Sequence, residues 1–141
     1  MLFLHLINIF KKSFWYSSIN SSFKYPILFL TYKRFETSIQ VFESIKKAKP
    51  KKLYFASNAP KNNDTIEIEK VVKVRSLVDL IDWDCEIITL FRDVHLDVKE
   101  SITFTIDWFF SMEEKGIIGV ADNPPCDTID TFPAKYLFYF Y

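Results

Sequence analysis

The apolar residues of this chain come in short unbroken runs and in helical stripes, and the two patterns alternate. Tyr25-Pro26-Ile27-Leu28-Phe29-Leu30-Thr31 is an apolar run with no charged residue inside it, as in a parallel strand buried on both faces. From Arg34 onward Phe35, Ile39, Phe42 and Ile45 recur at spacings of four, three and three. That spacing sets them on one side of a helix, which Pro50 stops. Lys52-Leu53-Tyr54-Phe55-Ala56 predicts a second strand, closed by the turn-forming stretch from Ser57 to Asp64.

Residues 65–81 fit two templates. Ile66, Ile68, Val72 and Val74 alternate as in a strand, whereas Val71, Val74, Leu77, Val78 and Ile81 line one side of a helix. Crossovers between parallel strands are normally helical and right-handed, which selects the helix. Glu86-Ile87-Ile88-Thr89-Leu90-Phe91 predicts the third strand. Asp97, with Glu100 three residues later, has the form of a helix-capping box; Ile102, Ile106, Phe109 and Phe110 give that helix its buried face. Gly116-Ile117-Ile118-Gly119-Val120 is the fourth strand. Three strand–helix units and a further strand, without an internal repeat, predict an α/β fold: a Rossmann-like, doubly wound, mostly parallel sheet.

The Ser/Asn cluster at 17–22 is a linker, so residues 1–22 form an N-terminal apolar and basic segment, 23–123 the α/β domain, and 124–141 an aromatic tail. The first ten residues are apolar apart from His5 and Asn8, too few to span a bilayer. Lys11 and Lys12 follow that run, the reverse of a signal peptide's order. A docked or frayed pre-domain helix is expected, with contact to a membrane surface through Phe3, Leu6, Ile9 and Phe10 as the alternative. In the tail, residues 136–141 are all apolar or aromatic, a strand-forming pattern that favours self-association when uncovered.

Composition narrows the chemistry. A chain of 141 residues allows one compact domain. Only 2 Gly stand against 15 Phe, 7 Tyr and 3 Trp, so a glycine-rich phosphate cradle is excluded. The 2 cysteines, Cys85 and Cys126, cannot build a disulfide framework or a CxxC site; a reducing, cytoplasmic setting follows, or a peripheral place at the inner membrane. Net charge is zero, yet the first 70 residues hold 12 Lys and Arg against 5 Asp and Glu, and the remainder 6 against 13. Anionic ligands are therefore expected to prefer the first half and metals the second. An even overall balance argues against nucleic-acid binding, which needs a broad basic face. His5 and His95 lack zinc-ligand spacing, neither cysteine has a flanking His, and Ser57 lacks the glycines of a nucleophile elbow. No catalytic residue is assigned.

In doubly wound sheets ligands bind beyond the carboxyl ends of the strands. Those exits are Thr31-Tyr32-Lys33-Arg34, Ser57-Asn58-Ala59-Pro60-Lys61, Arg92-Asp93-Val94-His95 and Ala121-Asp122-Asn123. Read alone, Arg34 begins a solvated helix, and Asn58 and Asp122 are ordinary turn residues.

Five segments, in this order and spacing, carry a family likeness: Pro26-Ile27-Leu28-Phe29-Leu30-Thr31-Tyr32-Lys33-Arg34, Lys49-Pro50-Lys51-Lys52-Leu53-Tyr54, Asp82-Trp83-Asp84-Cys85-Glu86, Leu90-Phe91-Arg92, and Ile106-Asp107-Trp108-Phe109-Phe110 leading to Gly116-Ile117-Ile118. The chain resembles the nucleotide-diphospho-sugar transferases of the GT-A fold, especially bacterial family 2-like glycosyltransferases, from about Tyr25 to Ile118.

The resemblance implies that Thr31, Tyr32 and Arg34 hold the nucleoside and diphosphate of a sugar donor; a hydroxyl, an aromatic face and a guanidinium fork suit ribose, base and phosphate. It puts Asn58 where the family's base-binding acid stands, ahead of Ala59-Pro60-Lys61 in place of Gly-Pro-Arg; an amide can still pair with a base edge. Arg92 and Lys99 match basic positions facing the diphosphate, while His95-Leu96-Asp97 replaces Asn-Leu-Gly. At the fourth exit the family's acidic motif, which holds Mg²⁺ or Mn²⁺ against the diphosphate, reduces to Asp122, since Val120 and Ala121 replace its first acids. An incomplete GT-A domain is thus expected: a glycosyltransferase-like protein, truncated or catalytically impaired, that binds a nucleotide-diphosphate sugar and a weakly held or lost divalent cation. Its acceptor is undetermined. The alternative is a non-enzymatic α/β interaction module whose exposed aromatics bind a partner protein or a membrane surface.

Overall fold

The computed structural model describes residues 24–121 and 138–140. The N-terminal segment 1–22, Asp122 and most of the aromatic tail lie outside them. Among the described residues the order is β1 (Ile27–Thr31), α1 (Phe35–Ala48), β2 (Lys52–Ser57), α2 (Thr65–Arg75), a 3₁₀ turn at Ser76–Leu80, β3 (Glu86–Phe91), α3 (Val98–Met112), β4 (Ile117–Val120) and β5 (Phe138–Phe140). The strands form one sheet in the order β3-β2-β1-β4-β5, and every pairing is parallel. This is a Rossmann-like α/β fold.

β1 is central, with Ile27 between Leu53 and Ile117. All five of its residues are buried, which is why its sequence shows no polar alternation. Alternate side chains feed opposite layers. Ile27 and Phe29 join Leu53, Phe55 and the α1 residues Val41, Phe42 and Ile45. Leu28 and Leu30 join Tyr54, Ala56 and the α3 residues Ile106 and Phe109 on the other face. Full burial of an aliphatic or aromatic side chain contributes about 1.5–3 kcal/mol each, so both layers hold the sheet.

α1 ends where Lys49 takes a left-handed conformation (φ 46°) ahead of Pro50. The segment 65–81 is α2 followed by the 3₁₀ turn, so the helical template prevailed over the strand one. Asn62 and Asn63 adopt φ 56° and 52°, a region asparagine tolerates, and turn the chain into α2. There the Asp64 carboxylate accepts from Ile66 N and Glu67 N. The capping box expected at α3 does not form: Asp97 is the N-cap residue, but its side chain makes no capping hydrogen bond.

Three contacts anchor the amino-terminal end of the sheet. Trp83 Nε1 donates to Pro50 O at 2.9 Å, and both Lys52 Nζ (2.6 Å) and Tyr54 Oη (2.6 Å) approach Glu113 Oε1 where α3 ends. The Lys52 ammonium, with the Tyr54 hydroxyl, holds the Glu113 carboxyl below its ordinary value. β5 pairs with β4 through Ile118 and Phe138, so part of the tail set apart from the domain by sequence adds a strand to its sheet.

Candidate functional site at the carboxyl edge of the sheet

From β1 the chain builds outward to β2 and β3 on one side and to β4 and β5 on the other. The order therefore reverses between β1 and β4, where open α/β sheets form a crevice. A depression of about 60 Å³ lies there. Leu30, Val98, Ile102 and Val120 supply its apolar walls, and Thr31, Tyr32, Asn58 and Ser101 its polar groups.

Of the residues expected to bind a donor, Thr31, Tyr32 and Asn58 meet at this depression. Each is already engaged. Thr31 Oγ1 donates to Ala56 O at 3.0 Å. Asn58, 5% exposed, spends its amide on the β3–α3 loop: Oδ1 accepts from Ala59 N (2.9 Å) and Leu96 N (3.1 Å), while Nδ2 donates to Leu96 O (2.8 Å). It ties two strand exits together. Tyr32 Oη donates to Glu67 Oε2 at 2.8 Å.

Arg92 lies apart from that depression, against α3. Its Nη2 donates to Thr105 Oγ1 (3.3 Å) and its guanidinium sits 4.6 Å above the Phe104 ring; burial pushes its pKa down. Arg34 is exposed at the N-cap of α1, and Lys99 is exposed in the first turn of α3. Asp122 lies outside the described residues. The described residues of the fourth exit, Val120 and Ala121, are buried and apolar. Among the described residues no group of three or more His, Cys, Asp or Glu could hold a metal ion. The side chains described there do not fit a divalent cation, and no step is derived through one.

The edge also contains contacts that the sequence did not show. Glu67 accepts from Lys33 Nζ, Tyr32 Oη and Lys61 N. Foremost the Lys33 ammonium, then these other donors, bring its carboxyl down to about 2. His95 Nδ1 is 2.8 Å from Ala59 O; a carbonyl only accepts, so Nδ1 carries the proton in that contact. Arg75 donates to Ser57 Oγ (3.2 Å), Asn58 O (3.2 Å) and Arg92 O (2.7 Å), bridging the second and third exits. Among the described residues, five of the six buried polar ones, Thr31, Ser57, Asn58, Ser101 and Thr105, belong to this end of the molecule. Glu67 lies 34 positions from Lys33 and Arg75 lies 17 from Arg92, so helical or strand spacing could not pair them. A polar turn after each strand was the only available signal.

No family model matches the chain, and no curated protein or solved structure matches it significantly.

Proposed function

We propose that the carboxyl edge of the sheet binds a nucleotide-diphosphate sugar, as the donor-binding part of a glycosyltransferase-like protein of the GT-A type. The observation that supports this is the position of the crevice: strand order reverses between β1 and β4, and Thr31, Tyr32 and Asn58, which the family likeness assigns to the donor, line the depression there. Lys99, in the first turn of α3, supplies positive charge for the diphosphate, and Arg92, set apart from the depression against Phe104 and Thr105, adds to it from a distance. The carboxylates at Asp97 and Glu100 oppose it. Asn58 acts in this reading by shaping the loop rather than by pairing with the base, because its amide is held by Leu96 and Ala59.

A divalent cation enters the reading through Asp122 alone. Isothermal titration of the full chain with UDP and GDP, each with and without Mn²⁺, tests both parts. Saturable binding at millimolar concentration or below is expected. No binding of either nucleotide rejects the donor site, while metal-independent binding removes the cation from it.

A further inference from the structure

Ser101, in the first turns of α3, is 8% exposed and lines the switch-point depression. Its backbone groups are paired: N donates to Asp97 O and O accepts from Thr105 Oγ1. Among the described residues its hydroxyl has no hydrogen-bond partner. A buried hydroxyl left this way is costly unless something supplies an acceptor. Around it Leu30, Val98, Ile102 and Val120 present only hydrocarbon.

These features limit the occupant. A space of about 60 Å³ takes a group of a few heavy atoms, not a sugar ring or a base. Phosphate is disfavoured, since its charged oxygens would face four aliphatic side chains while Thr31, Tyr32 and Asn58 already donate to Ala56 O, Glu67 and Leu96 O. A hydroxymethyl group offers an acceptor but little apolar surface, and a deoxy-sugar methyl offers surface without an acceptor. An acetyl group brings both.

Resting on the donor-binding reading above, we propose that this depression receives the acetyl group of a 2-acetamido sugar nucleotide. The methyl packs against Leu30, Val98, Ile102 and Val120, and Ser101 Oγ–H donates to the acetyl carbonyl.

The full chain is titrated with UDP, UDP-glucose and UDP-N-acetylglucosamine, and saturation transfer to the ligand is followed by NMR. One net hydrogen bond and a buried methyl predict that the acetamido donor binds about twentyfold tighter than UDP-glucose, with strong saturation of its acetyl methyl. Ser101→Ala is expected to cut that ratio about fivefold, leaving the share of the buried methyl. A merely structural role for Ser101 would shift both donors alike and leave the ratio intact, overturning the proposal. Ile102→Phe, which fills the depression from its half-exposed wall, is expected to remove both shares and bring the ratio close to one, and serves if Ser101→Ala misfolds. Equal affinities in the unmodified protein overturn the acetyl subsite and leave the donor reading standing. Binding of none of the three ligands ends both.

Discussion

The Glu67 carboxylate accepts from an ammonium and a phenol that follow β1 and from a backbone amide that follows β2. Its folded pKa, about 2, lies below its ordinary 4.5. The stabilisation is therefore complete above pH 4.5 and is lost as pH falls towards 2. Because the Lys33 side chain is 40% exposed, solvent screening limits the contribution to about 1 kcal/mol. Glu67→Gln is expected to lower stability by that amount at pH 6 and to flatten the loss between pH 4.5 and 2. Urea unfolding of both proteins at pH 6 and pH 3 checks this, and parallel pH slopes would refute it. Asn58 gives a second test, because its amide donates to Leu96 O, which a carboxylate at that position could not do. Asn58→Asp removes the donor to Leu96 O and sets a carboxylate against that carbonyl. A loss of about 1–3 kcal/mol in denaturant unfolding is expected, and unchanged stability would mean that the amide does not tie the loop.

The elements were legible where their own burial wrote the pattern. β1 lies between two strands and under helices on both faces, so its run is apolar throughout. α1 touches the core on one side, so its apolar residues fall in a stripe. β3 is harder to read by burial: it has one strand neighbour, and Glu86, Ile87 and Thr89 are exposed. The capping box at α3 misled because Asp-x-x-Glu specifies two residue types but not their rotamers. Packing between elements is tight at Gly116, just before β4. A Cβ there would overlap the Phe109 ring and lie 3.0 Å from Pro26 O, and Phe109 is fully buried. Gly116→Ala is thus expected to displace the α3 anchor and destabilise the fold by about 1–3 kcal/mol, measured by thermal and urea unfolding. A wild-type midpoint would show that Phe109 has room to move.

At the scale of the whole molecule, β5 covers the edge of β4 through three parallel pairs. A free strand edge exposes unpaired amides and carbonyls and invites pairing between chains. Deleting residues 138–141 is therefore expected to increase self-association, seen as a concentration-dependent rise in mass by light scattering. If the tail itself were the adhesive surface, deletion would reduce association instead. None of the described helices is long and apolar enough to cross a membrane. By itself the sequence determined the succession from β1 to β4, their parallel sheet and the polar exits of the first three strands, because burial on one face or two leaves a periodic trace in neighbouring residues. Only the tertiary structure decided which exit residues meet, that Asn58 is bound by a loop 38 positions away, that Glu67 accepts from Tyr32, and that the Ser101 hydroxyl, at the depression beside β1 and β4, has no partner among the described residues. Such contacts depend on how strands are ordered across the sheet, and strand order leaves no period along the chain.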